Sequence, residues 1–156
     1  LSLAGQIARR TAVATDNAVK TVRIEAPAET ALETIRAVEG QVDWVHEIKL
    51  AQVLTRDDAG LPLTAAFAAS TPVGTDEYTL AYTHRADGMD WTLVQGKLQT
   101  GQEAHYTVVA AGAEACDVTF DLTVSHNLPI PGFLRRKVIR DLVTSTLTGL
   151  RRHLEG

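Results

Sequence analysis

This 156-residue chain predicts an α+β domain, a curved antiparallel sheet of about seven strands wrapped around one long carboxyl-terminal helix. Three observations carry that prediction. Apolar side chains recur at helical spacing without a break from Phe133 to Leu154. Short segments between Ile48 and Ser125 alternate apolar and polar residues with period two, separated by turns rich in Asp, Gly and Ala. A Pro-Gly hinge, Leu128-Pro129-Ile130-Pro131-Gly132, joins the two patterns. A sheet with one wet face needs a cover on the other. One amphipathic helix covers a sheet only if the sheet bends around it, and such bending leaves a hollow where the strands pull away.

The elements follow in order. Residues 1–18 are expected to be an extension with at most a short helix; they lack the sustained apolar run of a secretory signal. The first strand is Val19–Ala26, with Val22, Ile24 and Ala26 on one face and Arg23 and Glu25 on the other. Pro27 suits the first turn of a helix, where no amide hydrogen is needed. Ala28–Val38 then sets Ala31, Leu32, Ile35 and Val38 in one stripe, and Gly40 ends it. A second short helix or turn, Val42–His46, carries Trp44. The strands Ile48–Arg56, Leu63–Ser70, Asp76–Arg85, Asp90–Gln95, His105–Ala110 and Ala115–Ser125 complete the sheet.

Faces can be assigned from the alternation. Tyr78, Leu80, Tyr82 and His84 share one side of their strand, and Cys116, Val118, Phe120, Leu122 and Val124 share one side of theirs. In the last helix, Leu134, Val138, Ile139, Leu142, Val143, Thr146, Leu147, Leu150 and Leu154 form a broad apolar arc, wide enough to bury against both flanks of a bent sheet. Arg135 projects into that arc. A charge there must reach solvent at a mouth, or meet a carboxylate or a ligand.

Composition narrows the function classes. The formal net charge of -4 argues against a nucleic-acid groove, and only Leu134-Arg135-Arg136-Lys137 and Arg151-Arg152 are locally basic. No stretch reaches the roughly 20 apolar residues of an integral membrane segment. Cys116 is the single cysteine, which excludes an internal disulfide and suits a cytoplasmic location. His46, His84, His105, His126 and His153 lie on different elements with no metal-binding spacing, so neither a metal nor a cofactor is expected. The serines lack a nucleophile elbow, and no glycine-rich phosphate loop or dinucleotide fingerprint is present.

The chain resembles the START-like, Bet v 1-like (SRPBCC) superfamily of helix-grip proteins, and within it the bacterial polyketide cyclase/dehydrase group of small single-domain proteins. The residues that carry the resemblance begin with Ile24-Glu25-Ala26-Pro27-Ala28-Glu29-Thr30 and Trp44. They continue with Gly74-Thr75-Asp76-Glu77-Tyr78-Thr79-Leu80-Ala81-Tyr82 and Trp91-Thr92-Leu93-Val94, and end with Pro129-Ile130-Pro131-Gly132-Phe133-Leu134-Arg135-Arg136 and Leu147-Thr148-Gly149-Leu150-Arg151-Arg152. The resemblance spans about Val19 to Glu155. It implies an apolar cavity between sheet and helix, and a function that is either carriage of a hydrophobic small molecule or lipid, or polyketide cyclisation and dehydration.

The expected ligand-binding wall comprises Tyr78, Leu80, Tyr82, Trp91, Leu93, Tyr106, Val108, Phe120 and Leu122 from the sheet, with Leu134, Arg135, Val138 and Leu142 from the helix. A fully packed core of the same residues is the alternative. If the protein is a cyclase, Tyr78, Tyr82 and His84 are the catalytic candidates, helped by an acidic neighbour such as Asp76 or Glu77, with Arg135 near an anionic end of the substrate. Opening is expected at the Pro129–Phe133 hinge and near Leu61–Gly74. The expected partner is a hydrophobic small molecule or lipid, and the expected state a monomer or weak homodimer.

Overall fold

The computed structural model describes residues 13–156. Its elements are β1 (Ala14–Ile24), α1 (Ala28–Arg36), a 3-10 helix (Val38–Asp43), β2 (Ile48–Arg56), β3 (Pro62–Thr71), β4 (Gly74–Arg85), β5 (Gly88–Gly96), β6 (Gly101–Ala110), β7 (Cys116–His126) and α2 (Gly132–Glu155). All strands form one antiparallel sheet in the order β1-β7-β6-β5-β4-β3-β2. The chain meanders from β2 to β7, and β1 adds to the far edge in unbroken register from Ala14 opposite His126 to Ile24 opposite Cys116. The helix α2 lies chiefly along β1 and β7, while α1 covers β5, β6 and β7.

Strand β1 starts at Ala14, five residues before the expected Val19. The run Ala14-Thr15-Asp16-Asn17-Ala18 lacks the branched apolar residues that mark strands in sequence. It is held by polar side chains on the outer face instead. Thr15 pairs its hydroxyl with Ser125 at 2.8 Å, and Asn17 Nδ2 donates to Asp121 at 2.7 Å and Thr123 at 2.9 Å. Thr21 meets Thr119 at 2.7 Å, and Arg23 Nε donates to Asp117 at 2.7 Å. Of the extension expected over 1–18, Ala14–Ala18 is thus strand, and residues 1–12, where the short helix was expected, lie outside the described residues.

The first helix closes at Arg36, two residues before the expected end. Ala37 leaves helical geometry and the 3-10 helix takes over from Val38, earlier than the short helix expected at Val42–His46. The segment Leu61–Gly74, expected to be free to open, is mostly β3, and only a tight turn at Pro72–Val73 interrupts the hairpin with β4.

Irregular pairing bends the sheet, at register shifts of β2 against β3 and at two places on β5. Val94 is an extra residue on β5 between Leu93, which pairs with Leu80, and Gln95, which pairs with Thr79. Such a bulge adds local twist. Strand β5 also pairs with β6 only from Gly88 to Thr92, so the two strands part beyond that point. The connection Lys97–Thr100 folds back into the gap: Lys97 N–H donates to the Glu77 carbonyl at 3.0 Å and Thr100 N–H to the Ser125 carbonyl at 2.8 Å.

Toward the end where α1 crosses the sheet, the concave face is packed solid. Tyr106 and Phe120 stack with centroids 4.3 Å apart, and Trp91 contacts both at 5.6 and 5.8 Å while meeting Tyr82 edge-on at 5.8 Å. Each such pair contributes about 0.5–1.5 kcal/mol beyond the area buried. Ala31 and Ile35 of α1 and Val143, Leu147 and Leu150 of α2 are buried in the same core. Gly149 lets α2 approach the loop below it. A Cβ there would stand 2.0 Å from the Trp44 carbonyl oxygen, so only glycine fits.

Candidate functional site

The other end of the concave face is hollow. A cavity of about 580 Å³ lies between the first three turns of α2 and the ends of β2, β3, β4, β6 and β7. Helical geometry explains how one helix serves both regions. Leu134, Val138 and Leu142, four residues apart, form a row that lines the cavity and stays partly exposed. Val143, Leu147 and Leu150 belong to the next row and are buried against the sheet. Val124, Leu128 and Ile130 supply apolar lining from the end of β7 and the hinge, and Val73 from the turn between β3 and β4.

Polar groups sit on this apolar lining at defined places. On one wall, Arg135 Nε donates to Asp16 Oδ2 at 2.5 Å, and the Asp16 side chain is only 9% exposed. Period-two alternation in β1 puts Asp16 on the same face as Val22 and Ile24, where it meets the helix. The mid-arc position of Arg135 is thereby explained by a carboxylate partner. Next to this pair, Leu128 N–H donates to His126 Nδ1 at 3.1 Å, which places the ring proton on Nε2. Burial, and then the nearby Arg135, hold the His126 imidazole below its ordinary range, so it is neutral near pH 7.

On the opposite wall a directional chain of hydrogen bonds runs through three side chains into a buried carboxylate. Trp91 Nε1–H donates to Gln102 Oε1 at 2.6 Å, Gln102 Nε2 donates to Gln99 Oε1 at 2.8 Å, and Gln99 Nε2 donates to Asp76 Oδ2 at 2.8 Å. Leu98 N–H occupies the other oxygen of Asp76 at 2.8 Å. Asp76 is 3% exposed and is satisfied wholly by neutral donors. Beside it, Tyr78 stacks on Phe67 at 5.3 Å, and burial, Asp76 and Glu47 together push its phenol well above the ordinary tyrosine range. Tyr78 therefore remains a hydroxyl, never a phenolate, at any ordinary pH.

The structure divides the expected site residues. Tyr78, Leu134, Arg135, Val138 and Leu142 line the cavity. Leu80, Tyr82, Trp91, Tyr106, Val108, Phe120 and Leu122 are buried in the packed core, with Leu93 packed against it, and none of these eight lines the cavity. Alternation identifies the concave face correctly but carries no information on where along that face the helix lifts away. Tyr82 and His84 are likewise at the solid end. His84 Nε2 donates to the Pro62 carbonyl at 2.7 Å, while the Tyr82 hydroxyl is buried without a hydrogen-bond partner among the described residues. Asp76, a possible acidic neighbour for them, stands by Tyr78 at the hollow end instead.

Asp16, Glu47, Gln99, Gln102, Leu128 and Ile130 line the cavity without having been singled out. For Asp16 the signal is present, since counting back by twos from Val22 reaches it. Asp76 and His126 follow the same rule, because each shares the parity of the buried residues in its strand. Gln99 and the hinge residues have no periodic signal, being placed by loops.

A family model for polyketide cyclase / dehydrase and lipid transport matches residues 24–151. Among solved structures, the fold is similar to a START superfamily protein from Mycobacterium smegmatis, with a TM-score of 0.83 and 26% identity over 89% of this chain and 97% of that one. It is also similar to an aromatase/cyclase from Streptomyces sp. R1128, with a TM-score of 0.78 and 11% identity over 91% and 94% of the two chains. A STAR-related lipid transfer protein from Xanthomonas axonopodis gives 0.68 and 20%, over 90% and 86%. At those identities the last two show the fold alone. No curated protein matches the sequence.

Proposed function

The chain belongs to the polyketide cyclase / dehydrase and lipid transport family, and on that premise we propose that it reversibly binds and carries a hydrophobic small molecule or lipid. The observation that carries this reading is the hollow of about 580 Å³ at one end of an otherwise close-packed face. A row of partly exposed leucine and valine side chains in the middle of a globular domain is unfavourable unless something covers it. Burial of a ligand's apolar surface would contribute about 25 cal/mol per Å². The ring of polar groups, Tyr78, His126 and the Asp16–Arg135 pair, would orient the ligand's polar end. Native mass spectrometry of protein purified from its own host, followed by solvent extraction, tests the reading. The expected result is a retained apolar molecule. Recovery of none, together with no binding across a panel of lipids and aromatics, overturns it.

A cyclase or dehydratase reading draws on a separate observation, the presence of both Tyr78 and His126 in the cavity lining. Both present donors: a phenol held protonated, and an imidazole whose Nδ1 is already occupied. Such donors would polarise a carbonyl more readily than they would remove a proton. This favours carriage over turnover as the primary role. Conversion of a short poly-keto thioester by the wild-type protein, lost in Tyr78→Phe, would reverse that preference.

A further inference from the structure

The chain of hydrogen bonds from Trp91 to Asp76 has one possible sense. An indole N–H can only donate, so Gln102 must turn its carbonyl oxygen to Trp91, at 2.6 Å. Its amide nitrogen then faces Gln99, which must answer with Oε1 at 2.8 Å. The Gln99 nitrogen is left for Asp76 Oδ2, also at 2.8 Å. Neither amide is free to turn over, since any flip sets a donor against a donor.

Both amides line the cavity, Gln99 from the folded-back loop and Gln102 from β6, and both are partly buried. Fastening the loop does not require them, because Lys97 and Thr100 already tie it down through their own backbone N–H groups. An amide on an otherwise apolar lining gives up apolar contact with an occupant, and gains only where it meets a polar group. Each of these side chains carries two N–H groups and two carbonyl lone pairs, and the chain of hydrogen bonds uses one of each. Two neighbouring amides locked in one sense therefore offer an occupant both a donor and an acceptor. A hydroxyl matches both, accepting from one amide and donating to the other. A carboxylate can only accept and an ammonium can only donate, so either uses half of what the pair presents.

We propose that Gln99 and Gln102 form the recognition subsite for an uncharged hydroxyl carried on an otherwise apolar ligand. This rests on the binding reading above and adds the chemical class of the ligand.

The test uses two probes of nearly equal shape, 2-naphthol and 2-methylnaphthalene, in which a hydroxyl and a methyl group trade places. Each competes at pH 7 with the uncharged reporter N-phenyl-1-naphthylamine in the intact protein. Gln99→Met and Gln102→Met keep the side-chain length and remove the amide. Either is expected to weaken 2-naphthol by about three- to tenfold and to change 2-methylnaphthalene by less than about twofold. Should a variant fail to fold, the wild-type protein supplies a second measurement. The side-chain amide protons of Gln99 and Gln102 should resonate further downfield with 2-naphthol than with 2-methylnaphthalene, the ring contribution being common to both. Equal effects on the two probes in both variants, or identical amide shifts in the wild-type protein, overturn the subsite and leave carriage intact. Failure of both probes and of the reporter to bind overturns the carriage reading together with this one.

Discussion

The two ends of the concave face share the same strands and the same helix, yet one is a core and the other a container. At the solid end, Trp91, Tyr106 and Phe120 meet ring to ring, and α1 closes over them. At the hollow end no second helix among the described residues covers the sheet, β5 and β6 part beyond Thr92, and the gap is lined by a folded-back loop. What differs is how many layers cover the sheet. Two helices over a curved sheet fill the concavity, and one leaves a cavity. Stability is therefore expected to reside in the solid end and binding in the hollow end.

The largest effect should come from the solid end. Trp91→Ala removes the ring that three aromatic neighbours contact, and it is expected to cost about 3–5 kcal/mol in denaturant unfolding. Leu142→Ala, in the cavity row, is expected to cost less than about 1.5 kcal/mol, because its side chain is already partly exposed. Equal losses would erase the distinction. Gly149→Ala comes next. Its Cβ would collide with the Trp44 carbonyl, and roughly 1–3 kcal/mol of overpacking should appear as a lowered unfolding midpoint with the same slope.

Acid should act on the hollow end. His126 is held below the usual imidazole value when folded, so the unfolded chain binds that proton more readily. Its contribution is neutral above the unperturbed value of about 6.5, and stability falls as pH drops below it. The charged groups facing it are Arg135 and Asp16, and His126→Gln should flatten this part of the profile. Identical profiles between pH 7 and 5 for the wild-type protein and His126→Gln would show that the imidazole is accommodated charged, a comparison that cancels the opposite contribution of His105, held above its usual value by Asp90. The smallest stability change is expected from Val138→Phe, within about 1 kcal/mol, since the added ring enters empty space. The same substitution should abolish displacement of a bound reporter, a separation of binding from stability that no solid-end variant should reproduce.

Much of the fold was legible because period two and period 3.6 are written directly into β4, β7 and α2. Their concave faces follow from Tyr78, Leu80 and Tyr82, from Val118, Phe120 and Leu122, and from the arc of α2. The start of β1 was not legible, because its stability comes from threonine, asparagine and arginine ladders across to β7 and not from apolar alternation. The site was legible only in part. Membership of the concave face is a local property, readable from spacing. Membership of the cavity depends on where α1 stops covering the sheet and where β5 leaves β6, and both are set by contacts distant in sequence. Hence Leu134, Val138 and Leu142 fell in the cavity while Trp91 and Phe120 did not.

The indole of Trp91 belongs to the solid end by packing and to the hollow end by its N–H, which reaches Asp76 through two amides. That makes it a built-in optical gauge. The chain has two tryptophans, and Trp44 sits beneath Gly149, outside the cavity lining. With Trp44 replaced by Phe, a single emitter would remain, wired to the lining of the container. Any occupant that tugs Gln99 or Gln102 would change the polarity felt by its excited state, so filling and emptying could be followed by intrinsic fluorescence without attaching a dye.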